Sequence, residues 1–192
     1  MQVTKQIWQD LIDGRKAIHG NIPEKPLLFP GSFNPVHEGH RQMASIASDL
    51  IGQPIHPEIS IVNVDKDALD YDSLLHRMGE SRQLGNVVIT RAARFVEKAM
   101  LFQNATFVIG ADTAIRLDQT RYYEDSANLR DQAIENIASL GTTFLVFGRK
   151  VDDEFHDACH LKLSSALSRL CKFVPATKFR IDISSTQLRQ QQ

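Results

Sequence analysis

Cysteine is scarce: Cys159 and Cys171 are the only two in 192 residues. Two isolated thiols build neither a disulfide framework nor a zinc-ligand spacing, and they fit reduced side chains in the cytosol. Tryptophan is scarcer still, with Trp8 alone. Excess charge is also missing, because 22 basic residues face 23 acidic ones for a net charge of -1. That balance argues against a general nucleic-acid binder, while a local basic pocket for a small phosphorylated ligand stays open. No apolar run approaches a membrane span. The opening "MQVTKQIWQDLIDGRK" lacks the long apolar stretch of a signal peptide, so a cytoplasmic protein without membrane or nucleic-acid partners is expected. Repeats and low-complexity segments are absent apart from three final glutamines.

What is present is an ordinary globular composition, 42% hydrophobic and 23% charged, in a length that suits one domain with a real core. Residues 3–18 read as an amphipathic helix with Ile7, Trp8, Leu11 and Ile12 on one face. "PLLFPG" reads as a buried strand and 38–51 as a helix. A second strand is expected at 58–65, then a helix in "YDSLLHRMGESRQ" capped by Asp72 or Ser73. Strands at 86–90, 105–110 and 142–148 follow, separated by helices in "RAARFVEKAMLF", "ADTAIRL" and "SANLRDQAIENIASL", the last stopped by Gly141. The polar stretch 149–162 reads as loop, "SSALSRLCKF" as a short helix, and "KFRIDI" as the lead into a last turn and helix.

Alternating strands and helices predict an α/β fold, a Rossmann-like doubly wound parallel sheet of about five to six strands with helices on both faces. The nearly continuous apolar strands agree with a sheet covered on both sides. In such sheets ligands sit at the carboxyl ends of the strands. The stretch "PGSFNPVHEGH", Pro30 to His40, lies on that rim, where the first buried strand turns into a helix. Gly31 removes a side chain where a backbone can pass close to a ligand. Ser32 and Phe33 offer backbone N–H groups, and Asn34-Pro35 forces a turn. His37 and His40, three residues apart, share one face of the helix's first turn, with Gly39 leaving room between them. A helix N-terminus favours anions, and two imidazoles there add donors for a triphosphate. Read as a metal pair, the histidines lack a third ligand. Read blandly, they are polar surface residues.

"GSFNPVHEGH" closely resembles the H-x-G-H signature of the nucleotidyltransferase superfamily, which has a Rossmann-like fold. "ISSTQLR", Ile183 to Arg189, resembles the second signature in the form seen in nicotinamide and nicotinate mononucleotide adenylyltransferases. "VIGADTAIRL" is similar to their G-x-D segment, and "LVFGRK" to a strand ending in arginine. The likeness spans roughly residues 26–190 in the same order, leaving 1–25 as an N-terminal helical extension of a single domain at 1–192.

The resemblance implies that a mononucleotide phosphate attacks the α-phosphorus of ATP in line and pyrophosphate leaves, with Mg²⁺ held by phosphate oxygens and water. It implies that His37 and His40 contact the ATP phosphates. Ser184, Ser185 and Thr186 would cap a helix holding the β- and γ-phosphates, with Arg189 beside them. Read alone, that segment is equally a capping sequence. Asp112 matches the aspartate near the adenosine ribose, or is a helix cap. Lys66 resembles a basic residue near the phosphates, or is a solvated lysine. Thr90 and Arg149 end strands on the substrate side. Arg91 and Arg94 open a helix and are otherwise solvated. The resembling enzymes stack the nicotinamide ring on a tryptophan after the G-x-D helix, and Tyr123 takes that place here. Two alternatives remain. One is the same fold with another acceptor, phosphopantetheine or a cytidylyl transfer to a small phosphorylated compound. The other is a nucleotide-binding module without turnover.

Overall fold

A computed structural model describes residues 2–64, 67–151 and 154–180, with the backbone alone for 149–151 and 154–156. The apolar run after Pro26 forms β2 (Leu27–Pro30), preceded by α1 (Lys5–Ile12) and a two-residue strand β1 (Ile18–His19). Then come α2 (Glu38–Ile51), β3 (Ile55–Ser60), α3 (Tyr71–Ser81), β4 (Val88–Thr90), α4 (Phe95–Leu101) and β5 (Thr106–Gly110). The chain continues through α5 (Ala111–Asp118), a 3-10 turn at Thr120–Tyr122, α6 (Ala127–Ser139) and β6 (Thr143–Phe147). It ends its described part with a hairpin of β7 (Arg149–Val151) and β8 (Glu154–His156), a second 3-10 turn at Ala158–His160, α7 (Ser165–Ser168) and β9 (Cys171–Val174).

Seven strands make one sheet in the order β1-β4-β3-β2-β5-β6-β9. All neighbours are parallel except β1, which lies antiparallel on β4. Taken in order of appearance, the six parallel strands run 3-2-1-4-5-6, the doubly wound order. The direction of winding reverses between β2 and β5, so the loops leaving those two strands border the crevice where such sheets bind ligands.

Period-two alternation sorts the core onto two faces. Leu27, Phe29, Ile55, Ile59, Ile89, Val108 and Leu145 face one layer, covered by Leu11 of α1, Ala44 and Ala47 of α2, and Leu74 and Met78 of α3. Leu28, Val88, Phe107, Ile109, Phe144 and Val146 face the other, under Ala99 of α4, Ala114 of α5, Ile134 and Ile137 of α6, and Leu167 of α7. No helix among the described residues is long and apolar enough to cross a membrane.

Several boundaries differ from the sequence reading. The second parallel strand starts at Ile55, not 58, and ends at Ser60, not 65. Pro57 misled the reading, since proline is unfavourable in a central strand. At Pro57 the strand is paired only to Phe29 of β2, and the ladder to β4 begins one residue later at Glu58. The cap of α3 is Asp70, whose carboxylate accepts from the Ser73 backbone at 2.8 Å, in place of Asp72 or Ser73. Residues 91–93 lie outside α4, and Arg94 is its N-terminal cap residue. The stretch read as loop at 149–162 contains the β7–β8 hairpin and a 3-10 turn. The end of "SSALSRLCKF" is a strand, β9, because the apolar alternation of Cys171 to Val174 pairs with β6. The N-terminal segment packs closely on the core. Leu11 is fully buried, Trp8 Nε1 donates to the Leu69 carbonyl at 2.9 Å, and the Tyr71 hydroxyl donates to the Val3 carbonyl at 3.0 Å.

Candidate active site

The turn after β2 is built by rings. Gly31 donates its N–H to the Glu58 carbonyl at 3.1 Å, which prolongs the β2–β3 ladder by one bond. Phe33 adopts a left-handed backbone, φ +44°, and is fully buried. A bulky residue there is strained by an amount on the order of 1–3 kcal/mol. The strain is held by packing, since the Phe33 ring meets Phe29 edge-on at 5.4 Å and His40 at 5.3 Å. Gly31 is required by the same ring, because a Cβ at this position falls 2.7 Å from a Phe33 ring carbon. In the structure the group that comes close to Gly31 is the Phe33 ring. Ser32 is exposed beside it.

His37 caps α2 and His40 sits in its first turn. The rings lie 3.8 Å apart and 30° from parallel, as the three-residue spacing predicts. His37 Nδ1 accepts the Gly39 N–H at 3.1 Å, and His40 Nδ1 accepts the His37 N–H at 3.2 Å. A neutral imidazole that accepts through Nδ1 carries its proton on Nε2. Both rings therefore turn an Nε2–H donor away from the backbone they cap. Gly39, buried between them, leaves the two rings free to approach. Two imidazoles at the start of a 14-residue helix suit phosphate oxygens.

Asp112 lies in the first turn of α5, directly after β5. Because β2 and β5 are adjacent and parallel, the histidine turn and Asp112 leave the sheet side by side at the switch point. Tyr123 follows the 3-10 turn and is half-buried, with its hydroxyl donating to the Leu117 carbonyl at 3.0 Å. Burial pushes its pKa up, the Asp118 charge adds to this, and Arg130 and Arg94 oppose it. Thr90 is fully buried, and its hydroxyl donates to Glu58 Oε1 at 2.5 Å. Its place is under the rim, and it reaches the surface only through the loop it holds. Arg149 begins β7, opposite His156. Lys66, Ser184, Ser185, Thr186 and Arg189 lie outside the described residues. Among the described residues no group of three His, Cys, Asp or Glu could hold a metal ion.

One feature escaped the sequence reading. Lys98 of α4 and Glu58 of β3 form a buried ion pair, with Nζ 2.7 and 2.6 Å from the two carboxylate oxygens. The available signal was a carboxylate inside the strand "IHPEIS" and a lysine beside buried Ala99. Neither motif nor spacing links them across 40 positions.

A Rossmann-like sheet with a histidine-capped helix at its switch point defines a nucleotide-handling α/β protein. Residues 28–191 match the family described as cytidylyltransferase-like, and the chain belongs to that family. The family implies a nucleotidyltransferase. No curated protein matches the chain.

Proposed function

We propose that this nucleotidyltransferase moves an adenylyl group from ATP to a pyridine mononucleotide, forming NAD or its deamido form and pyrophosphate. The observation that carries the reading is the "ISSTQLR" segment, joined in one chain to the paired His37 and His40 donors. The acceptor phosphate attacks the α-phosphorus as the bond to the β-phosphate oxygen breaks, so no covalent enzyme intermediate is required. The protein's part is to position two anions and to neutralise charge growing on pyrophosphate. His37 and His40 do this as Nε2–H donors, with Ser184, Ser185, Thr186 and Arg189 on the β- and γ-phosphates. Asp112 takes the ribose, and Lys66 and Arg149 assist near the phosphates and the nucleotide. Mg²⁺ belongs to the substrate, carried on triphosphate oxygens and water. Tyr123 offers its face to the pyridine ring.

The family match favours a second reading, cytidylyl transfer to a small phosphorylated compound, with equal force. Incubation with ATP or CTP, Mg²⁺ and a panel of acceptors separates the two by pyrophosphate release. The expected result is release with ATP and a pyridine mononucleotide. Release only with CTP overturns the adenylyl reading, and no release with any pair overturns turnover itself.

A further inference from the structure

The N-terminal extension meets the rim at the loops that leave β3 and β4. Helix α1 carries the one tryptophan of the chain, and its Nε1–H donates to the Leu69 carbonyl at 2.9 Å. The Tyr71 hydroxyl donates back to the Val3 carbonyl at 3.0 Å, and the Trp8 and Tyr71 rings meet edge-on with centroids 6.2 Å apart. On the other loop, the Arg91 N–H donates to the Ala17 carbonyl at 2.9 Å and its Nε to the Ile12 carbonyl at 3.2 Å. The extension is thus fastened to two neighbouring rim loops at once.

The two loops are supported differently. The loop after β4 is held from below, since the Ala92 N–H donates to Thr90 Oγ1 at 3.2 Å and Thr90 donates to buried Glu58. The loop after β3 is held at its neck. The Leu69 N–H donates to the Ile61 carbonyl at 2.7 Å, and the Ile61 N–H donates to the Thr90 carbonyl at 2.9 Å. Ile61 is buried, and Val62 and Leu69 pack on the core, while Asn63, Val64, Asp67 and Ala68 between them are exposed. Leu69 is therefore gripped from both sides, by β3 through its N–H and by Trp8 through its carbonyl. Strand β3 lies next to β2, and the Gly31 N–H at the start of the histidine turn donates to the Glu58 carbonyl of β3 at 3.1 Å. The loop after β3 accordingly leaves the sheet beside the histidine turn, on the flank opposite β5 and Asp112.

We propose that Trp8 is a positioning residue for the triphosphate: by holding the Leu69 carbonyl it fixes the loop after β3 beside the histidine turn, which makes the N-terminal extension a wall of the active site. The inference rests on the phosphate role of His37 and His40, and on neither the base nor the acceptor. A loop set in place beforehand loses little freedom when the anion arrives, so the grip on Leu69 is repaid in triphosphate affinity.

Calorimetric titration of the full chain with ATP or CTP, each with Mg²⁺, tests it in wild type, Trp8→Phe, Trp8→His and Tyr71→Phe, with the thermal transition of each recorded. Trp8→Phe and Tyr71→Phe both keep an aromatic ring and both lose one hydrogen bond between extension and core, but only the first releases the Leu69 carbonyl. Trp8→Phe weakens the triphosphate that wild type takes up by about five- to tenfold, the loss expected for one hydrogen bond. Trp8→His, which keeps a ring N–H, recovers part of it. Tyr71→Phe binds as wild type does, although its thermal midpoint falls about as far as that of Trp8→Phe. Equal weakening in Trp8→Phe and Tyr71→Phe, or none in Trp8→Phe, overturns the inference while the phosphate role stands. Wild-type protein that binds neither triphosphate overturns the phosphate role and this inference with it.

Discussion

Two loops on one rim are held rigid by opposite means. The turn after β2 is locked by apolar rings, with Phe33 buried between Phe29 and His40. The loop after β4 is locked by a buried charge pair reached through Thr90. The difference lies in how each lock fails. A ring lock loosens by degrees, because neighbours relax partly into the space left behind. A charge lock fails abruptly, because removing one partner strands the other in a low-dielectric interior.

The sharpest break of the comparison is Lys98→Ala. It leaves the Glu58 carboxylate buried and unpaired, at a cost of about 3–5 kcal/mol read from the denaturant midpoint. Glu58→Gln/Lys98→Met recovers most of that stability. A single variant no less stable than a surface substitution would remove the charge lock from the account.

Next in size is the ring-locked side. His40→Ala lowers turnover by roughly 100-fold or more, the usual loss for one charge-stabilising donor, and His37→Ala acts similarly. Pyrophosphate release at near-normal rates in both variants, with the fold intact by circular dichroism, sinks the phosphate role of the pair.

Tyr123 stands outside both loops and sharpens the contrast by acting on one substrate alone. Tyr123→Ala raises the KM for the mononucleotide about three- to tenfold, from the loss of stacking, and leaves the KM for ATP nearly unchanged. Equal shifts for both substrates count against a ring platform.

The smallest effect is a pH dependence beneath the charge lock. His56 shares a face of β3 with Glu58, and burial lowers its pKa from 6.5, opposed by the hydrogen bond its Nδ1 makes to the Asn86 carbonyl at 3.3 Å. The folded state therefore favours the neutral ring more than the unfolded chain does. Its contribution to stability is complete above pH 6.5 and is lost as pH falls toward the lowered folded-state value. Thermal transitions of His56→Gln and wild type, compared across pH 5 to 8, converge or cross at the acid end. Parallel curves refute the linkage.

On the ring-locked side the histidine pair is legible in the sequence because its information is local, whereas the burial of the Phe33 ring is not. Gly31, Phe33, His37 and His40 sit within ten positions, and helix spacing alone brings the two imidazoles together. Helix α2 was read with its observed bounds, Glu38–Ile51. The charge-locked side was not legible, because Glu58, Thr90 and Lys98 meet only once the strand order is known. Thr90 ends a strand in the sequence, and nothing local there shows the Glu58 carboxylate that its hydroxyl meets. The β7–β8 hairpin was missed for another reason. Its strands have three residues each, too few for an alternation to register against the polar composition around them.

The two residues of β1 have a consequence beyond closing the sheet. Ile18 and His19 pair with Thr90 and Ile89, so the end of β4 nearest the rim is covered on its outer side. An open strand edge is a template for a second chain. The N-terminal segment thus acts as a guard against self-association, tied down by Trp8 on one side and Arg91 on the other. A chain begun after Gly20 would carry its folded core with a sticky flank, and would sediment as larger species than the full chain.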